Sequence, residues 1–477
     1  MAGLRSKIPE LVQHILDNNK YFETNEVLFN IYEGNLLKYI DAALKKQLTK
    51  SSYEQISHRI APINVLIRII DKLSKIYQQE PVREIIDGTE NDTVMLRWYE
   101  QQFYGNQKWN ISNEFFNLFK NNLLQPFVDR GTPRMRPIPS DRFIPWSDNP
   151  RDPTIPTVML VKHGTIKSMN ADEGSIDVWG AFSEDEFLLF NMKGEIVPDM
   201  TATEDQMVGV NPISRIPFTY INRSHNLLIP KQDTDTIAMT LLIPVLLSDM
   251  NLISMFQAFS IVYGINVDDK GIVFAPNAFW SFEEKGDGEK KAEIGTIKPE
   301  ADIESLIRSA QTQLAMWLQS RGIKPGAMGR LDKENIASGV SKIIDEMDTS
   351  EERKKQVEFY QNAELDFWDM IMHHMHPYWI QDGQIKPMPL FSQNAKVRVN
   401  YAEQAPALSR AAVIAESKEE VEAGFTTRRR AISKLNPKMT EKEVDDLMKE
   451  IEEERTTIIE EEETVPADDG NDAKSNT

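Results

Sequence analysis

The stretch that decides the fold is residues 233–263, DTDTIAMTLLIPVLLSDMNLISMFQAFSIVY, an apolar run that holds a single proline, Pro244. This pattern predicts one long helix, or two helices that meet at Pro244, because proline bends or begins a helix. Residues 250–267 carry no charge. Amide and hydroxyl side chains nevertheless recur among them, which is costly for a helix that faces lipid. We therefore expect burial between protein neighbours rather than a membrane span.

A second long helix is predicted over residues 299–322, PEADIESLIRSAQTQLAMWLQSRG. Its apolar positions recur with the period of a helix that buries one face, and Gly322 is a typical C-terminal stop. These positions are Ile303, Leu306, Ile307, Ala310, Leu314, Trp317 and Leu318.

A small β module is predicted between the two helices, over residues 264–298. Residues 272–274 and 280–282 are strand-like, and a charged, glycine-containing turn covers residues 283–291. After the second helix, residues 323–340 are rich in glycine and basic side chains, which indicates a loop.

The chain before this region is predicted to be helical first and β-rich later. Two helical stripes are visible: Leu4, Ile8, Leu11, Val12 and Ile15, and then Ile63, Leu66, Ile67, Ile70, Leu73 and Tyr77. Pro62 is placed to begin the second of these helices, and Ser112 to cap a helix that carries Phe115, Phe116, Phe119 and Leu123. Strands are expected at 157–161, 176–181 and 187–190, with a turn at 191–194.

The rest of the chain adds a third long helix over residues 341–376, which Pro377 is expected to end, and a strand at 396–401. Helices follow at 408–422 and 427–434. A further helix begins with a capping box of Thr440 and Glu443. The acidic, small-residue tail from 456 should be disordered at 467–477. The fold class is therefore α+β, mainly helical.

Composition limits the classes of function. The formal net charge is −20, which argues against an ordinary nucleic-acid binder with a basic face, although simple solubility explains it as well. No cysteine is present, which excludes disulfides and thiolate metal sites and fits assembly in a reducing cytoplasm. Residues 1–7 are followed by no apolar segment, so we expect no signal peptide.

Catalytic motifs are missing from the sequence. It holds no G-x-x-x-x-G-K-[ST] loop, no G-x-S-x-G turn and no H-E-x-x-H helix, which indicates that the chain is not an enzyme. His373, His374 and His376 could hold a metal, but three imidazoles so placed on a helix cannot all point one way, which favours a packed or capping role. A run of carboxylates could bind magnesium for a nuclease, although such a run is usually a solvated face: Asp345, Glu346, Asp348, Glu351, Glu352 and Asp366.

From about Pro133 onward, the order of segments resembles that of the portal proteins of tailed bacteriophages. The segments that carry the resemblance are 136–145, 148–153, 213–220, 226–263, 264–298, 302–325, 326–340 and 409–454. Residues 1–130 match no portal motif, so their place is an extrapolation. The resemblance implies a wing at 1–232, a first stem helix at 233–263, a clip at 264–298, a second stem helix at 299–322, a tunnel loop at 323–340, a long helix and wing return at 341–404, a helical crown at 405–455 and an acidic disordered tail at 456–477.

The resemblance also implies a ring of identical subunits, typically twelve, at one vertex of a virion capsid, assembled in the host cytoplasm without membrane or cofactor. Double-stranded DNA would pass through non-specifically during packaging, retention and ejection of the genome. The clip would dock the terminase packaging motor and later the head–tail adaptor, and the ring would also contact the major capsid protein. An acidic wall would repel phosphates and let the duplex slide.

Two groups of side chains are the candidate contacts. Lys324, Arg330 and Lys333 on the tunnel loop are expected to touch DNA phosphates transiently, with pairing to acidic neighbours as an equal alternative. The clip residues expected to dock a partner are Trp280, Phe282, Glu283, Glu284, Lys285 and Lys290. For the two aromatic residues, filling the small core of the module is the favoured alternative.

Two other functions stay open. Another ring-forming or scaffold protein of a virus particle, without a DNA bore, would share this composition and these helical stripes. A metal-dependent hydrolase would use the histidines or the carboxylates. The sequence leaves open the subunit number, the host, the tail type and the residues that line the bore.

Overall fold

The computed structural model describes residues 3–50, 53–54, 57–167, 175–197, 208–232, 234–258, 261–265, 293–297, 303–321, 323, 339–401, 410–435 and 444–451. It is a mixture of helix and sheet, with a preponderance of helix. The chain divides into two units, Met1–Glu403 and Gln404–Thr477.

The first unit begins with the helices α1 (Leu4–Asp17), α2 (Asn19–Tyr32), α3 (Leu36–Gln47) and α4 (Val65–Leu73). Helical residues at 50 and 53–54 and a 3₁₀ turn at Ser57–Arg59 lie between α3 and α4. The predicted stripe of α1 is confirmed, since Leu4, Ile8, Leu11 and Ile15 are buried against a sheet. The stripe predicted for α4 is partly wrong. Ile63 lies ahead of the helix and is 53% exposed, whereas Val65 and Ile69 are buried. The reason is that α4 packs on two sides at once, against the α2–α3 cluster and against a later helix pair.

Two more helices follow, α5 (Glu90–Phe103) and α6 (Gly105–Phe119), after the strand β1 (Val82–Ile86). A capping box of Thr89 and Asp92 begins α5. Ser112 is not the N-cap that the sequence predicted, because it lies in the middle of α6 and is fully buried. Its hydroxyl contacts the Tyr360 hydroxyl at 3.1 Å, so a polar residue on α6 faces another helix instead of beginning its own.

Two antiparallel sheets form the β-rich part. The first has the order β3-β2-β9, from β2 (Asn121–Asp129), β3 (Thr132–Ile138) and β9 (Thr219–Asn222). The second runs in sequence order through β4 (Phe143–Trp146), β5 (Val158–Lys167), β6 (Ser175–Phe182), β7 (Glu186–Asn191) and β8 (Val208–Val210). A cluster that includes Leu123, Phe143 and Phe218 packs between the sheets.

The strands predicted at 157–161, 176–181 and 187–190 are confirmed as parts of β5, β6 and β7. The turn after β7 is confirmed too, with Gly194 at φ +81° and the Asn191 side chain accepting backbone hydrogen bonds from Lys193 and Glu195. The segment 213–220, which corresponds to a strand in the portal resemblance, is strand only at its end, since β9 begins at Thr219.

A long helix, α9 (Gly339–Met370), crosses the first unit. It passes through a π-helical turn (Ile371–Met375) into α10 (His376–Gln381). The expectation that Pro377 ends the helix is wrong. Pro377 lies in the first turn of α10, where a missing N–H costs nothing, and the helix continues to Gln381. The predicted strand at 396–401 is confirmed as β12 (Lys396–Asn400), which pairs antiparallel with β1.

The two predicted long helices are confirmed as α7 (Thr234–Ala258) and α8 (Ile303–Ser320). Residues 261–265 are a strand, β10 (Ile261–Ile265), so α7 ends earlier than the sequence suggested. β10 pairs antiparallel with β11 (Glu293–Ile297). The strands expected at 272–274 and 280–282 lie outside the described residues. No helix in the described ranges is both long and apolar enough to span a membrane.

The second unit holds α11 (Arg410–Glu422), α12 (Arg428–Leu435) and a helix at 444–451. The first two confirm the predicted helices, and Gly424 follows α11 in the left-handed conformation, at φ +78°. Arg429 pairs with Asp445 at 2.6 Å, which joins α12 to the last helix. The proposed capping residues Thr440 and Glu443 lie outside the described part of the chain.

Candidate functional site

The α7–α8 helix pair is antiparallel. At one end, Arg321, just after α8, donates to the Asp235 carboxylate at 3.1 Å and to the Thr236 hydroxyl at 2.7 Å, at the beginning of α7. At the other end, the β10–β11 strand pair joins the two helices. Between these ends, Ile243 of α7 packs in one cluster with Trp317 and Leu318 of α8.

Polar residues inside α7 are satisfied by the helix itself. The hydroxyl of Thr240 donates to the Thr236 carbonyl, and that of Ser248 to the Pro244 carbonyl, both at 2.7 Å. Such bonds bend a helix slightly but hide its hydroxyl groups. This explains why α7 tolerates polar side chains among apolar neighbours without a membrane or water to solvate them.

One face of α7 lies outside the hydrophobic clusters that the described residues form. Leu242, Leu246, Met250 and Ile253 are each only partly buried and follow one another at helical spacing along one side. We call these four residues the uncovered stripe. Among the described residues, none of the four belongs to a hydrophobic cluster. On α8, Met316 is 66% exposed. The helix pair therefore has apolar sides that the described part of the chain covers only partly.

A cleft of about 720 Å³ lies at the base of the helix pair, where the beginning of α7, the end of α8 and the middle of α9 meet. We call it the basic cleft. Five basic and two acidic side chains line it: Lys120, Arg223, Lys231, Arg321 and Lys355, and Asp235 and Glu352. The excess of three positive charges stands out in a chain whose net charge is −20.

The charges of the basic cleft are only partly neutralised. Arg223 forms an ion pair with Glu352, and Arg321 with Asp235. Burial acts to raise the pKa of Asp235, but the hydrogen bond and the charge of Arg321 outweigh it and hold that pKa below its ordinary value. Lys231 and Lys355, the latter on α9, are both exposed. Neither makes an ion pair with a residue that the structure describes.

Backbone hydrogen bonds shape one wall of the cleft. The Arg223 N–H donates to the Lys120 carbonyl at 2.9 Å, which extends the pairing of β9 with β2. The Asn222 amide donates to the Leu227 carbonyl at 2.7 Å. Lys120 ends α6 in the left-handed region, at φ +69°, and its ammonium group donates to the Lys231 carbonyl. The basic residues are therefore carried by ordered backbone.

A buried ionic cluster anchors α9 to the sheet of β1 and β12. The Glu364 carboxylate accepts from the Arg83 guanidinium at 2.5 Å and 3.0 Å, from the Tyr77 hydroxyl at 2.7 Å and from the Tyr401 hydroxyl at 2.8 Å. Arg83 also contacts Glu100 at 3.1 Å. Burial and the charge of Glu364 both raise the pKa of Tyr77 and of Tyr401. The cluster is satisfied from all sides and closed to solvent, which is typical of a structural anchor.

The three histidines of the π-helical turn and α10 contact three different backbone carbonyls. His373 Nε2 lies 3.0 Å from the Ala395 oxygen, His374 Nδ1 2.9 Å from that of Ile213, and His376 Nε2 2.9 Å from that of Pro389. His376 Nδ1 also accepts from the Tyr99 hydroxyl at 2.6 Å. The imidazoles point apart and pack against separate segments. Within the described ranges, no group of side chains is arranged to hold a metal.

The carboxylates considered for magnesium are spread apart as well. Glu352 pairs with Arg223, and Asp366 pairs with Arg215 and accepts from the Thr219 hydroxyl. Glu351 is exposed. The side chains of Asp345, Glu346 and Asp348 lie outside the described residues.

The residues that the sequence put forward as contacts also lie outside the described part of the chain. They are Lys324, Arg330 and Lys333 of the predicted tunnel loop, and Trp280, Phe282, Glu283, Glu284, Lys285 and Lys290 of the predicted clip.

The basic cleft was missed at the sequence level. Its charged side chains come from separate segments, near residues 120, 223–235, 321 and 352–355, so no local motif marks them. One residue could have indicated a positive charge at the end of α8: Arg321 comes shortly after the last apolar residues of that helix.

No protein-family model matches the chain, and no curated protein matches it by sequence. Among solved structures, similar chains come from gene transfer agent (GTA) particles. A chain of the neck of an empty GTA particle, computed with C6 symmetry, is 12% identical with a TM-score of 0.36. A chain of the neck of a native particle, computed with C12 symmetry, is 13% identical with a TM-score of 0.34, and one from the virion of a native particle is 13% identical with a TM-score of 0.31. Each alignment covers 81% of this chain and 93% of the other.

Proposed function

We propose that this chain is one subunit of a portal-like ring, the connector between the head and the tail of a phage-like particle, with a channel for double-stranded DNA. Its role is structural, without catalysis. The observation that supports the proposal best is the α7–α8 helix pair with its uncovered stripe, an apolar face that the described part of the chain covers only partly.

The uncovered stripe fits a repeated contact between copies. A ring with cyclic symmetry brings one face of each subunit against a different face of the next. Completing the burial of a leucine, isoleucine or methionine that is already partly buried contributes about 1 kcal/mol at ~25 cal/mol per Å². The four residues of the stripe would then contribute about 4 kcal/mol at every subunit boundary, and closure repeats that contribution around the ring.

The order of elements supports the same assembly. The helix α7, the β10–β11 strand pair and the returning helix α8 form a hairpin, in the order that the stem and clip of the portal resemblance imply. The mixed sheets and helices before residue 232 and after 339 then form the wing. In this proposal the residues between the strands of the hairpin dock the packaging motor and later the tail adaptor, and the wing contacts the major capsid protein.

The acidic balance suits a DNA channel. A wall that carries many carboxylates repels the duplex and lets it slide, since tight binding grows steeply with each phosphate that a basic group neutralises. With twelve copies, which the resemblance implies, a charge of −20 on each would set the field of the whole assembly.

Leu246→Asp tests the contact that would close the ring. A buried carboxylate opposite the next subunit is costly, so we expect the variant to remain a folded single chain in analytical ultracentrifugation, while the unaltered chain assembles. Asn251→Asp is the matched control, because it adds the same charge to an exposed position of the same helix that lies away from the uncovered stripe. Rings of Leu246→Asp as abundant as those of the control would contradict the proposed interface.

A further inference from the structure

We propose that the basic cleft binds the phosphate groups of double-stranded DNA. The inference rests on the proposed function, because only a ring with a channel brings a duplex to this part of the chain. It adds a place where an otherwise repelling channel holds the DNA.

Charge is the first reason. The basic cleft carries an excess of three positive charges in a chain of net charge −20. Lys231 and Lys355 supply much of this excess, since both are exposed and neither is in an ion pair with a described residue. An ammonium group in that position neutralises a phosphate and releases a counterion from DNA, which favours binding.

The chemistry of the lining is the second reason. Three of the five basic residues are lysines, and lysine is depleted at protein–protein interfaces but common among phosphate contacts. The Arg223 guanidinium donates to Glu352 through one terminal nitrogen. Its other N–H groups donate to no described side chain. These features favour a phosphodiester over the acidic face of a second copy of this chain.

The place of the cleft in the fold is the third reason. Ser320 and Arg321 line it, directly before the residues that the sequence puts forward as a DNA-facing loop. Glu352 and Lys355 line it from α9, which begins directly after that loop. The cleft is therefore flanked in sequence by the segment that is expected nearest to the duplex.

The test compares two double variants in the full chain. Lys231→Ala/Lys355→Ala removes two charges from the cleft. Lys46→Ala/Lys354→Ala removes two charges from exposed positions outside it, and Lys354 lies next to Lys355 on α9. Binding of a fluorescein-labelled DNA duplex of about 30 base pairs is followed by fluorescence anisotropy over a series of salt concentrations. Assembly of each variant is checked by electron microscopy.

We expect both variants to assemble and only the cleft variant to bind DNA less well. The plot of log K against log salt has a negative slope, and the loss of two phosphate contacts makes this slope less steep by about 1.8. Binding at about 0.1 M salt weakens by about tenfold or more. Equal slopes for the two variants would overturn the proposal.

Loss of assembly in the cleft variant alone would also overturn it, because the cleft would then seat a neighbouring copy. If even the unaltered chain forms no ring, the proposed function fails, and the same comparison of slopes on the purified chain still decides whether the cleft binds DNA.

Discussion

Replacing Glu364 with glutamine should strongly destabilise the first unit. Glu364 is fully buried, and its two carboxylate oxygens accept four hydrogen bonds, from Arg83, Tyr77 and Tyr401. The amide of glutamine keeps the size of the side chain but removes the charge. It also places an N–H₂ group where a carboxylate oxygen accepted a hydrogen bond.

The magnitude follows from what is left behind. The Arg83 side chain is 1% exposed, so after the change its guanidinium is a buried charge with only Glu100 nearby at 3.1 Å. Leaving one partner of a buried pair without its counter-charge costs about 3–5 kcal/mol. Tyr77 and Tyr401 both donate to Oε1, so both keep their acceptor when the amide oxygen takes that place and the N–H₂ group takes the place of Oε2, opposite the Arg83 Nε–H.

Urea denaturation followed by tryptophan fluorescence measures this change, since Trp109 and Trp368 are buried in the cluster of apolar residues that surrounds the ionic group. Tyr401→Phe is the control, because it removes one hydrogen bond without a charge and should cost only about 1 kcal/mol. Arg83→Met combined with Glu364→Leu should recover most of the loss, since apolar residues of similar volume replace a buried pair with little penalty. A loss below about 1 kcal/mol for Glu364→Gln would refute the desolvated pair.

The other predictions concern a cap, a histidine and an ion pair. Thr89→Ala removes the capping box of α5 and should lower the free energy of unfolding by about 1 kcal/mol in the same urea assay, and no change would show that the cap is dispensable. Burial lowers the pKa of His376 below 6.5, despite its hydrogen bond to the Pro389 carbonyl, so the neutral ring is favoured in the folded chain. The contribution of the neutral ring to the free energy of unfolding is therefore fully present above pH 6.5 and is lost as the pH falls through the lowered pKa. In thermal melts between about pH 5 and about 7, His376→Asn should remove this pH dependence of the melting temperature. Parallel curves of melting temperature against pH for the variant and the unaltered chain would contradict it. Arg321→Met should leave the basic cleft less positive and loosen the base of the helix pair by roughly 1 kcal/mol, because its partner Asp235 is half-exposed, and hydrogen exchange at the beginning of α7 measures that loosening against unchanged exchange in β6.

Most elements whose apolar residues recur with a clear period could be predicted from the sequence. The helices α1, α7, α8 and α9 were found because each carries an apolar pattern long enough to outweigh local ambiguity. Strands β5, β6 and β7 were found because turn residues separate them.

The failures share a physical cause, which is a neighbour distant in sequence. Ser112 looked like a cap because a polar residue precedes an aromatic run, but the fold buries it against Tyr360 on α9. The face of α4 was misplaced because this helix packs against two clusters, which no single stripe can express. Leu123 was expected on the helix of Phe119 but lies in β2, because Lys120 ends α6 in the left-handed conformation and no typical turn residue marks the change.

The basic cleft illustrates the same limit for function. Its side chains come from segments up to some two hundred residues apart, and only folding brings their charges together. The sequence directed attention to glycine-rich loops with clustered basic residues instead, because local composition is the signal that a single sequence provides. The α7–α8 pair is the exception, since an apolar helix with internal amides already indicated burial between neighbours.

The central claim is that many copies of this chain close into a hollow collar around a channel. Negative-stain electron microscopy of the purified full-length chain, over a range of protein concentrations, tests it most directly. We predict rings of uniform diameter with a central hole of about 20 Å or more, wide enough for a duplex. Only single molecules, or closed particles without a hole, at every concentration would contradict it.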